Sequence, residues 1–136
     1  MAVTIDVNYE GGLSCVAVHG PSGDRLPTDA PTDNRGRGRH FSPTDLVGAA
    51  LGTCTLTVMG IAAEDRGIDM TGARARVVKD MGATPRRHIA RLAVTIALPA
   101  RLTPDERALL ERAAHGCPVH ASLGSLTAVD LVFDYV

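Results

Sequence analysis

The chain is poor in aromatic residues, in cysteine and in net charge. It has no tryptophan, two phenylalanines, two tyrosines and three cysteines among 136 residues, and its formal net charge is −1. The few aromatics argue against a surface that stacks nucleic-acid bases, and the charge argues against attraction to DNA or an anionic membrane. Three cysteines are too few, and odd in number, for a secreted disulfide scaffold. We therefore expect a cytoplasmic protein with reduced thiols that binds neither nucleic acid nor membrane.

Aliphatic residues must build the core instead of aromatic ones. Hydrophobic residues make up 45% of the sequence and charged residues 21%, which is typical of a globular protein. The length suits one domain, and no repeat is visible, so we predict a single domain over residues 1–136. The opening stretch MAVTIDVNYE has no cationic segment and no long apolar run, which predicts no secretory signal.

One uncharged run is long enough to be considered as a membrane span. Leu46 to Ala63 is 18 residues without a charge. The run contains three glycines and three threonines and is otherwise rich in alanine, so we predict a helix buried in protein. Ser42 is a suitable N-cap for this helix, and Pro43 suits its first helical position. Gly67 is a suitable residue to end the helix. A helix over 43–66 would be about 36 Å long, and we expect it to run through the centre of the structure.

The remaining segments predict hairpins of strands rather than repeated βαβ units. Alternation in AVTIDVNYE, a Gly11-Gly12 turn and the segment LSCVAVHG predict two strands, with a short third one after PSGDRL. Residues 27–40 have the length of a functional loop. Two strands follow the long helix, then a helix opened by a capping box at Thr103 and Glu106, a short Cys-Pro helix and a last strand. The order β-β-(β)-α-β-β-α-α-β predicts an α+β fold with a mainly antiparallel sheet.

Two glycines of the long helix lie on one face. Gly48 and Gly52 are four residues apart. Because neither has a side chain, we expect them to let another backbone come close to the helix.

The cysteines differ in their predicted surroundings. Cys117 precedes Pro118 at the start of a short helix, where backbone N–H groups lower a thiol pKa, although a small buried residue would fit the same position. Cys54 falls in the middle of the long helix, where packing is the simpler explanation. Cys15 lies on a strand, and we expect packing only. From the residues alone, Cys117 is the more activated thiol.

Two histidines flank Cys117 and leave other chemistries open. Cys117 and His120 have metal-ligand spacing, and Cys54 and His115 could complete a four-ligand zinc site, but no CxxC accompanies them. A cysteine–histidine dyad for acyl transfer is a further alternative, without a recognisable nucleophile turn. We expect no metal.

Three arginines alternate with glycines just before the long helix. Arg35, Arg37 and Arg39 are separated by Gly36 and Gly38. These arginines either belong to a solvated loop or place a guanidinium group at a site near the start of the helix.

Two stretches taken together resemble a known family. FSPTDLVGAALGTCTLTVMGIAAEDRGI, followed some sixty residues later by AAHGCPVHASL, resembles the OsmC/Ohr family of thiol peroxidases. The resemblance implies an α+β fold in which two chains interlock as a homodimer, with sheet wrapped around long central helices and sites at the subunit interface. It assigns the attacking, peroxidatic cysteine to Cys54 and the resolving cysteine to Cys117, which reverses the ranking from the residues alone.

The sequence departs from the Ohr branch at two positions. Ohr-type proteins carry a glutamate right after the proline at the helix start, and this glutamate orients an arginine over the peroxidatic thiolate. Here Thr44 follows the proline and Asp45 comes one place later, turned by about 100° along the helix. The usual arginine follows a Gly-Gly pair, and here that position is Leu13.

The activating cation must therefore come from elsewhere. We predict that Arg39, or failing that Arg37, lies over Cys54 and is held by Asp45. The glycines around Arg37 would let the loop fold back.

The resemblance implies a cysteine-based peroxidase that reduces organic hydroperoxides and, more weakly, hydrogen peroxide. Cys54 would form a sulfenic acid and then a disulfide with Cys117, and a lipoyl- or thioredoxin-type dithiol would regenerate both thiols. No cofactor is needed. Met59 and Phe41 are expected to contribute to an apolar lining. The alternative is an OsmC-like binding or stress protein with little peroxidase turnover.

Overall fold

The computed structural model describes residues 1–136 and has six strands, three α-helices and one 3-10 helix. The strands are β1 (Ile5–Gly11), β2 (Ser14–His19), β3 (Arg25–Asp29), β4 (Arg74–Gly82), β5 (His88–Leu98) and β6 (Ala128–Tyr135). The helices are α1 (Pro43–Asp65), α2 (Pro104–Ala114) and α3 (Pro118–Ser122), and the 3-10 helix is Thr32–Asn34. The predicted order of elements is confirmed.

The chain divides into two compact units, Met1–Val47 and Gly48–Val136. The first turn of α1 belongs to the first unit and the rest of α1 to the second. The single-domain interpretation stays a prediction.

The first unit is built on an antiparallel sheet with the strand order β1-β2-β3. Residues 27–29 belong to β3, so the predicted loop over 27–40 begins too early. Pro27 pairs with Val16 in this sheet. A proline is tolerated there because β3 is an edge strand, which needs no donor on its outer side.

One face of β1 is apolar and exposed. The period-two alternation is as predicted, but Ile5, Val7 and Tyr9 on β1, and Val3 just before it, are 52–66% exposed. This apolar face therefore lacks a cover within the chain.

The second unit is built on a sheet with the order β4-β5-β6. β4 and β5 are antiparallel, whereas β5 and β6 are parallel, with α2 and α3 in the crossover between them. Three of the four strand pairings in the chain are antiparallel, which confirms the mainly antiparallel prediction. The parallel pairing follows from the two-helix crossover, because parallel neighbours need a long connection.

The second unit buries an aliphatic core between this sheet and its helices. Alternate residues of β5 point inward, and Leu92, Val94, Ile96 and Leu98 are at most 1% exposed. α2 adds Leu110 and Ala114, both fully buried. The Tyr135 hydroxyl donates a hydrogen bond of 2.5 Å to Glu111 Oε1, which fastens α2 to β6.

α1 packs on the sheet through its glycines. A methyl group added at Gly52 would lie 2.9 Å from Val77 Cγ2, and one at Gly48 would lie 3.6 Å from Val77 and Leu92 side-chain atoms. The partner that comes close is therefore a pair of side chains on the sheet, and not the backbone we expected. The buried residues of α1 in this unit are Gly48, Leu51, Gly52, Thr55, Met59 and Ala63.

The other face of α1 is exposed. Thr53, Thr57 and Ile61 lie on it, and Ile61 is 57% exposed. By length and composition α1 could cross a membrane, but a single helix of this kind is weak evidence, because core helices pass the same test. The central position predicted for this helix, enclosed by sheet, is not confirmed.

We expect replacement of Gly52 by leucine to destabilise the protein. The new side chain would collide with the stiff, β-branched Val77, and overpacking of this kind costs about 1–3 kcal/mol. Gly60→Ala is the matched control, because the space around Gly60 is open. It should stabilise by about 0.5–1 kcal/mol through helix propensity. Urea unfolding checks both, and a Gly52→Leu variant as stable as the wild type would contradict the packing.

Candidate functional site

The structure brings Cys54 and Cys117 into contact. Cys54 lies in the middle of α1, and Cys117 is the N-cap residue of α3, with extended backbone angles of φ −67° and ψ 122°. Each thiol shifts the pKa of the other, as neighbouring groups do, and the two form no disulfide. The two cysteines that the sequence singles out are therefore neighbours in the fold.

Hydrogen bonds favour negative charge on Cys117. Burial raises the pKa of this thiol, but contacts from the Cys54 thiol, from the backbone N–H groups of His120 and Val119 and from the Thr55 hydroxyl outweigh it. The net result is a lowered pKa for Cys117. Backbone N–H groups at the start of α3 thus help to lower the pKa of this thiol, as the position of Cys117 in the sequence predicts.

The pKa of Cys54 shifts in the opposite direction. Burial and the hydrogen bond to Cys117 raise its pKa, and the Val119 N–H only partly offsets them. A mid-helix thiol receives little from the helix dipole, which fades within a turn of the N-terminus. Cys54 is nevertheless the more accessible sulfur, since it is half-buried whereas Cys117 is 2% exposed.

A cavity of about 370 Å³ borders Cys117. His115, Gly116, Cys117, His120 and Ala121 line it. The His115 ring also packs edge-on against Phe133, with 6.3 Å between ring centroids. No group of three or more His, Cys, Asp or Glu residues is placed to hold a metal ion, so the four-ligand alternative has no support in the geometry.

A larger cavity of about 500 Å³ lies elsewhere in the second unit. Arg66, Arg112, Asp105 and Glu106 are among the residues that line it. Its charges are mixed, and no thiol, hydroxyl or imidazole side chain lines it. The cysteine pair is therefore the better candidate site, although its cavity is smaller.

In the first unit Arg39 is held by a buried carboxylate. Asp29, 1% exposed, accepts hydrogen bonds at Oδ2 from the Arg39 backbone N–H and Nε, both at 2.9 Å, and at Oδ1 from Nη2 at 3.2 Å. The Ser14 hydroxyl also donates to Asp29 Oδ1. The hydrogen bond from the Arg39 side chain, followed by that from Ser14, holds the pKa of Asp29 far below its usual range.

The loop glycines make this contact possible. A methyl group at Gly36 would lie 1.7 Å from the Ala30 carbonyl oxygen, so only glycine lets the loop close onto Ala30. Gly38 has a φ of 63°, in the left-handed region. The glycines thus let the loop close onto Ala30, whereas the predicted approach of its arginines to Cys54 stays a prediction.

Asp45 caps its own helix. Its Oδ2 accepts a hydrogen bond of 2.9 Å from the Ser42 N–H, and the Ser42 hydroxyl accepts one from the Asp45 N–H, which confirms the N-cap. The carboxylate that binds the Arg39 side chain is that of Asp29, which was not predicted from the sequence. The available signal was an aspartate on β3 directly opposite Ser14 on β2, a polar pair that must find a partner once buried.

The predicted site residues divide between the two units. Arg37, Arg39 and Asp45 belong to Met1–Val47, and the cysteine pair to Gly48–Val136. Arg37 is exposed. Activation of Cys54 by Arg39 or Arg37 stays a prediction.

Three other residues have definite positions. Phe41 is 52% exposed and available to a ligand. Met59 is fully buried, which argues against its expected place in the lining of an accessible site. Cys15 lies half-buried on β2, in the first unit.

The sequence matches the family model described as OsmC-like protein over residues 36–132, a stretch that includes both cysteine motifs. The chain belongs to the OsmC-like family. A solved structure from Psychrobacter arcticus 273-4, named as an osmotic stress induced and detoxification response protein, is 35% identical to it. The two align over 98% of this chain and 96% of the other, with a TM-score of 0.90. Among curated protein sequences none matches the chain.

More distant OsmC-like structures share the fold. The OsmC-like protein of Mycoplasma pneumoniae is 15% identical, with a TM-score of 0.83 over 100% of this chain and 98% of the other. An organic hydroperoxide resistance protein OsmC from Legionella pneumophila, also named as a predicted redox protein, is 18% identical. Its TM-score is 0.76 over 96% of each chain. These two structures thus show that the fold is retained at low sequence identity.

Proposed function

We propose that this OsmC-like protein is a cysteine-based peroxidase for organic hydroperoxides. The observation that carries the proposal is the contact between the Cys54 and Cys117 thiols in a chain of this family. Two neighbouring thiols can give up two electrons when they are oxidised to a disulfide.

Cys54 is the proposed point of attack. It is the more accessible of the two sulfurs. Its sulfur attacks the distal oxygen of the hydroperoxide, the O–O bond breaks, an alcohol leaves, and Cys54 becomes a sulfenic acid. Cys117 then condenses with the sulfenic acid, which releases water and forms the disulfide. A lipoyl- or thioredoxin-type dithiol reduces the disulfide by exchange.

An apolar substrate is favoured over hydrogen peroxide. α1 carries aliphatic residues on both sides of Cys54, and Phe41 is exposed shortly before the helix. Organic hydroperoxide resistance in the names of structural neighbours supports the same substrate class. No step of this chemistry requires a prosthetic group.

We further propose that the protein acts as a homodimer in the cytoplasm. Apolar side chains of β1 are exposed, and only 33% of the apolar stretch of α1 is buried within one chain. A second copy would cover these surfaces and gain roughly 25 cal/mol per Å² of apolar area removed from water. With a formal net charge of −1, nucleic acid and anionic membrane are not proposed partners.

One observation favours the alternative of a binding or stress protein with little turnover. The pKa of Cys54 is raised, chiefly by burial, which reduces the thiolate available at neutral pH. The positions of the Ohr-type glutamate and arginine are Thr44 and Leu13.

The test is the product of one equivalent of organic hydroperoxide. We expect an intrachain disulfide between Cys54 and Cys117, because the two thiols are neighbours in the fold, with no change at Cys15. Peptide mapping without reduction identifies the bridge. A bridge that includes Cys15, or sulfinic acid alone at Cys54, would contradict the mechanism.

A further inference from the structure

The β4-β5-β6 sheet has an inner face that packs on helices and an outer face that is open. α1 lies on the inner face, where Gly48 and Gly52 approach Val77, and α2 bonds to Tyr135 on the same face. Because side chains alternate along a strand, the residues between these point to the outer face. Three valines of the outer face are 50–64% exposed, namely Val78, Val132 and Val136.

The outer face contains a groove of about 460 Å³. The groove forms because the central strand, β5, carries short side chains there, whereas longer side chains rise from its two neighbours. Arg74 and Arg76 of β4 line one side, Asp134 and Val136 of β6 line the other, and Thr95 and Ala97 of β5 form the floor.

The two sides of the groove carry opposite charges that do not meet. Arg74 and Asp134 are both in register with Ala97, on opposite sides of it. Two strand spacings separate them, which is about 10 Å between their Cα atoms. Neither forms an ion pair or a hydrogen bond with another side chain, and the same holds for Arg76.

The charges further along the outer face neutralise one another instead. Arg91 of β5 lies between Asp80 of β4 and Asp130 of β6, with N–O distances of 3.8 and 2.5 Å. The unpaired charge of this face is therefore concentrated at the groove.

We propose that the outer face of this sheet binds a second copy of the chain, face to face, with Arg74 of each copy paired to Asp134 of the other. This contact uses a surface other than β1 and the exposed face of α1, and it does not depend on the peroxidase chemistry.

The strand register makes the outer face complementary to itself. A two-fold axis parallel to β5 exchanges the positions of β4 and β6 and keeps each residue at its place along the strands. Since Arg74 and Asp134 share one such place, the axis sets each arginine opposite the aspartate of the other copy, and the pair forms twice. Sheets that pack with aligned strands lie about 10 Å apart, and the short side chains of Thr95 and Ala97 leave room for the arginines in that gap.

The same arrangement gives Arg76 an apolar neighbour. Arg76 and Val132 are both in register with Thr95, so the axis sets them opposite each other. The methylene groups of an arginine cover apolar surface while its guanidinium stays in water, so this pair removes part of the exposed valine from solvent.

A second copy fits the groove better than a small ion. A bound anion would satisfy the arginines and leave Asp134 unpaired, and a bound cation would do the reverse. Another copy of the same face supplies both charges at the separation that the register fixes.

The experiment exchanges the charges one at a time and measures molar mass by light scattering over a range of protein concentrations. Arg74→Glu sets two carboxylates opposite each other at each pair, and Asp134→Arg sets two arginines opposite each other. Each variant alone should self-associate through this face about tenfold more weakly or less, because like charges in an interface are strongly unfavourable. An equimolar mixture of the two should regain the wild-type mass, since every pair again joins a cation to an anion.

The mixture also controls for folding, because a variant that failed to fold could not regain the wild-type mass with its partner. Arg112→Glu is the matched control: it makes the same change of charge on α2, which packs on the inner face, and should retain the wild-type mass. Single variants as large as the wild type, or a mixture no larger than the single variants, would overturn the proposal.

The masses also separate this contact from the homodimer proposed above. If both contacts form, the wild type is a tetramer and each charge variant a dimer. A dimeric wild type with monomeric variants would support the outer-face contact and contradict the other one. A wild type and variants that are all dimers, or all monomers, would refute the outer-face contact.

Discussion

Replacement of Cys54 by serine is expected to reduce consumption of cumene hydroperoxide, with a dithiol as reductant, to the rate without protein. A serine hydroxyl is not ionised at neutral pH and cannot form the sulfenic acid on which the proposed cycle depends. The loss should be complete, because neither of the other cysteines can replace Cys54: Cys117 is buried beside it and Cys15 lies on β2 in the other unit. Disappearance of the hydroperoxide at pH 7 is the measurement.

Cys15→Ser is the control for this result, and it should retain the wild-type rate. A Cys54→Ser protein that still consumes hydroperoxide would exclude Cys54 as the attacking thiol. If the wild type itself is no faster than Cys54→Ser, the binding or stress protein becomes the better description.

If Arg39 is the cation that activates Cys54, its replacement by alanine is expected to raise the pKa of Cys54 by about one unit or more, since an opposite charge close to a thiolate shifts its titration by that order. The Asp29 carboxylate accepts hydrogen bonds from the backbone N–H and the side chain of Arg39. This guanidinium is therefore held in a fixed position, as a functional cation would be. Arg37, exposed two residues away, is the second candidate for this cation, and Arg37→Ala is measured beside Arg39→Ala. The pH dependence of the alkylation rate of Cys54 gives the pKa in each variant.

Asp29→Asn should act in the same direction as Arg39→Ala, because the neutral amide releases the guanidinium. If neither Arg39→Ala nor Arg37→Ala moves the pKa of Cys54, arginine activation is excluded and low peroxidase activity is the expectation. A shift in Arg37→Ala alone would assign the cation to Arg37.

The elements of the fold could be predicted because local rules agree with the packing. Ser42 caps α1, Thr103 caps α2, and alternation marks the strands, so their order follows from the sequence alone. The start of the loop after β3 was misplaced because a proline within a strand looks like a breaker unless the strand is known to be an edge. Edge position is a property of the sheet, which a local pattern does not contain.

The candidate site was less predictable for the same reason. Cys54 and Cys117 were paired through the resemblance, since no local pattern connects two residues in separate helices. Asp29 was missed because its meaning depends on the strand register opposite Ser14 and on a loop that returns Arg39 to it. The raised pKa of Cys54 depends chiefly on burial, which only the packed structure defines.

The position of Cys117 in the crossover between β5 and β6 has a consequence for biosynthesis. Cys54 is translated about 60 residues before its partner, an interval of about 3 to 12 s at ordinary rates of synthesis. Under the proposed mechanism the nascent chain carries Cys54 during that interval without its resolving thiol, and a sulfenic acid formed then would need an external thiol for its reduction. The ribosome-bound chain is thus more vulnerable to irreversible oxidation than the finished protein, most of all under the hydroperoxide stress in which the protein would be needed.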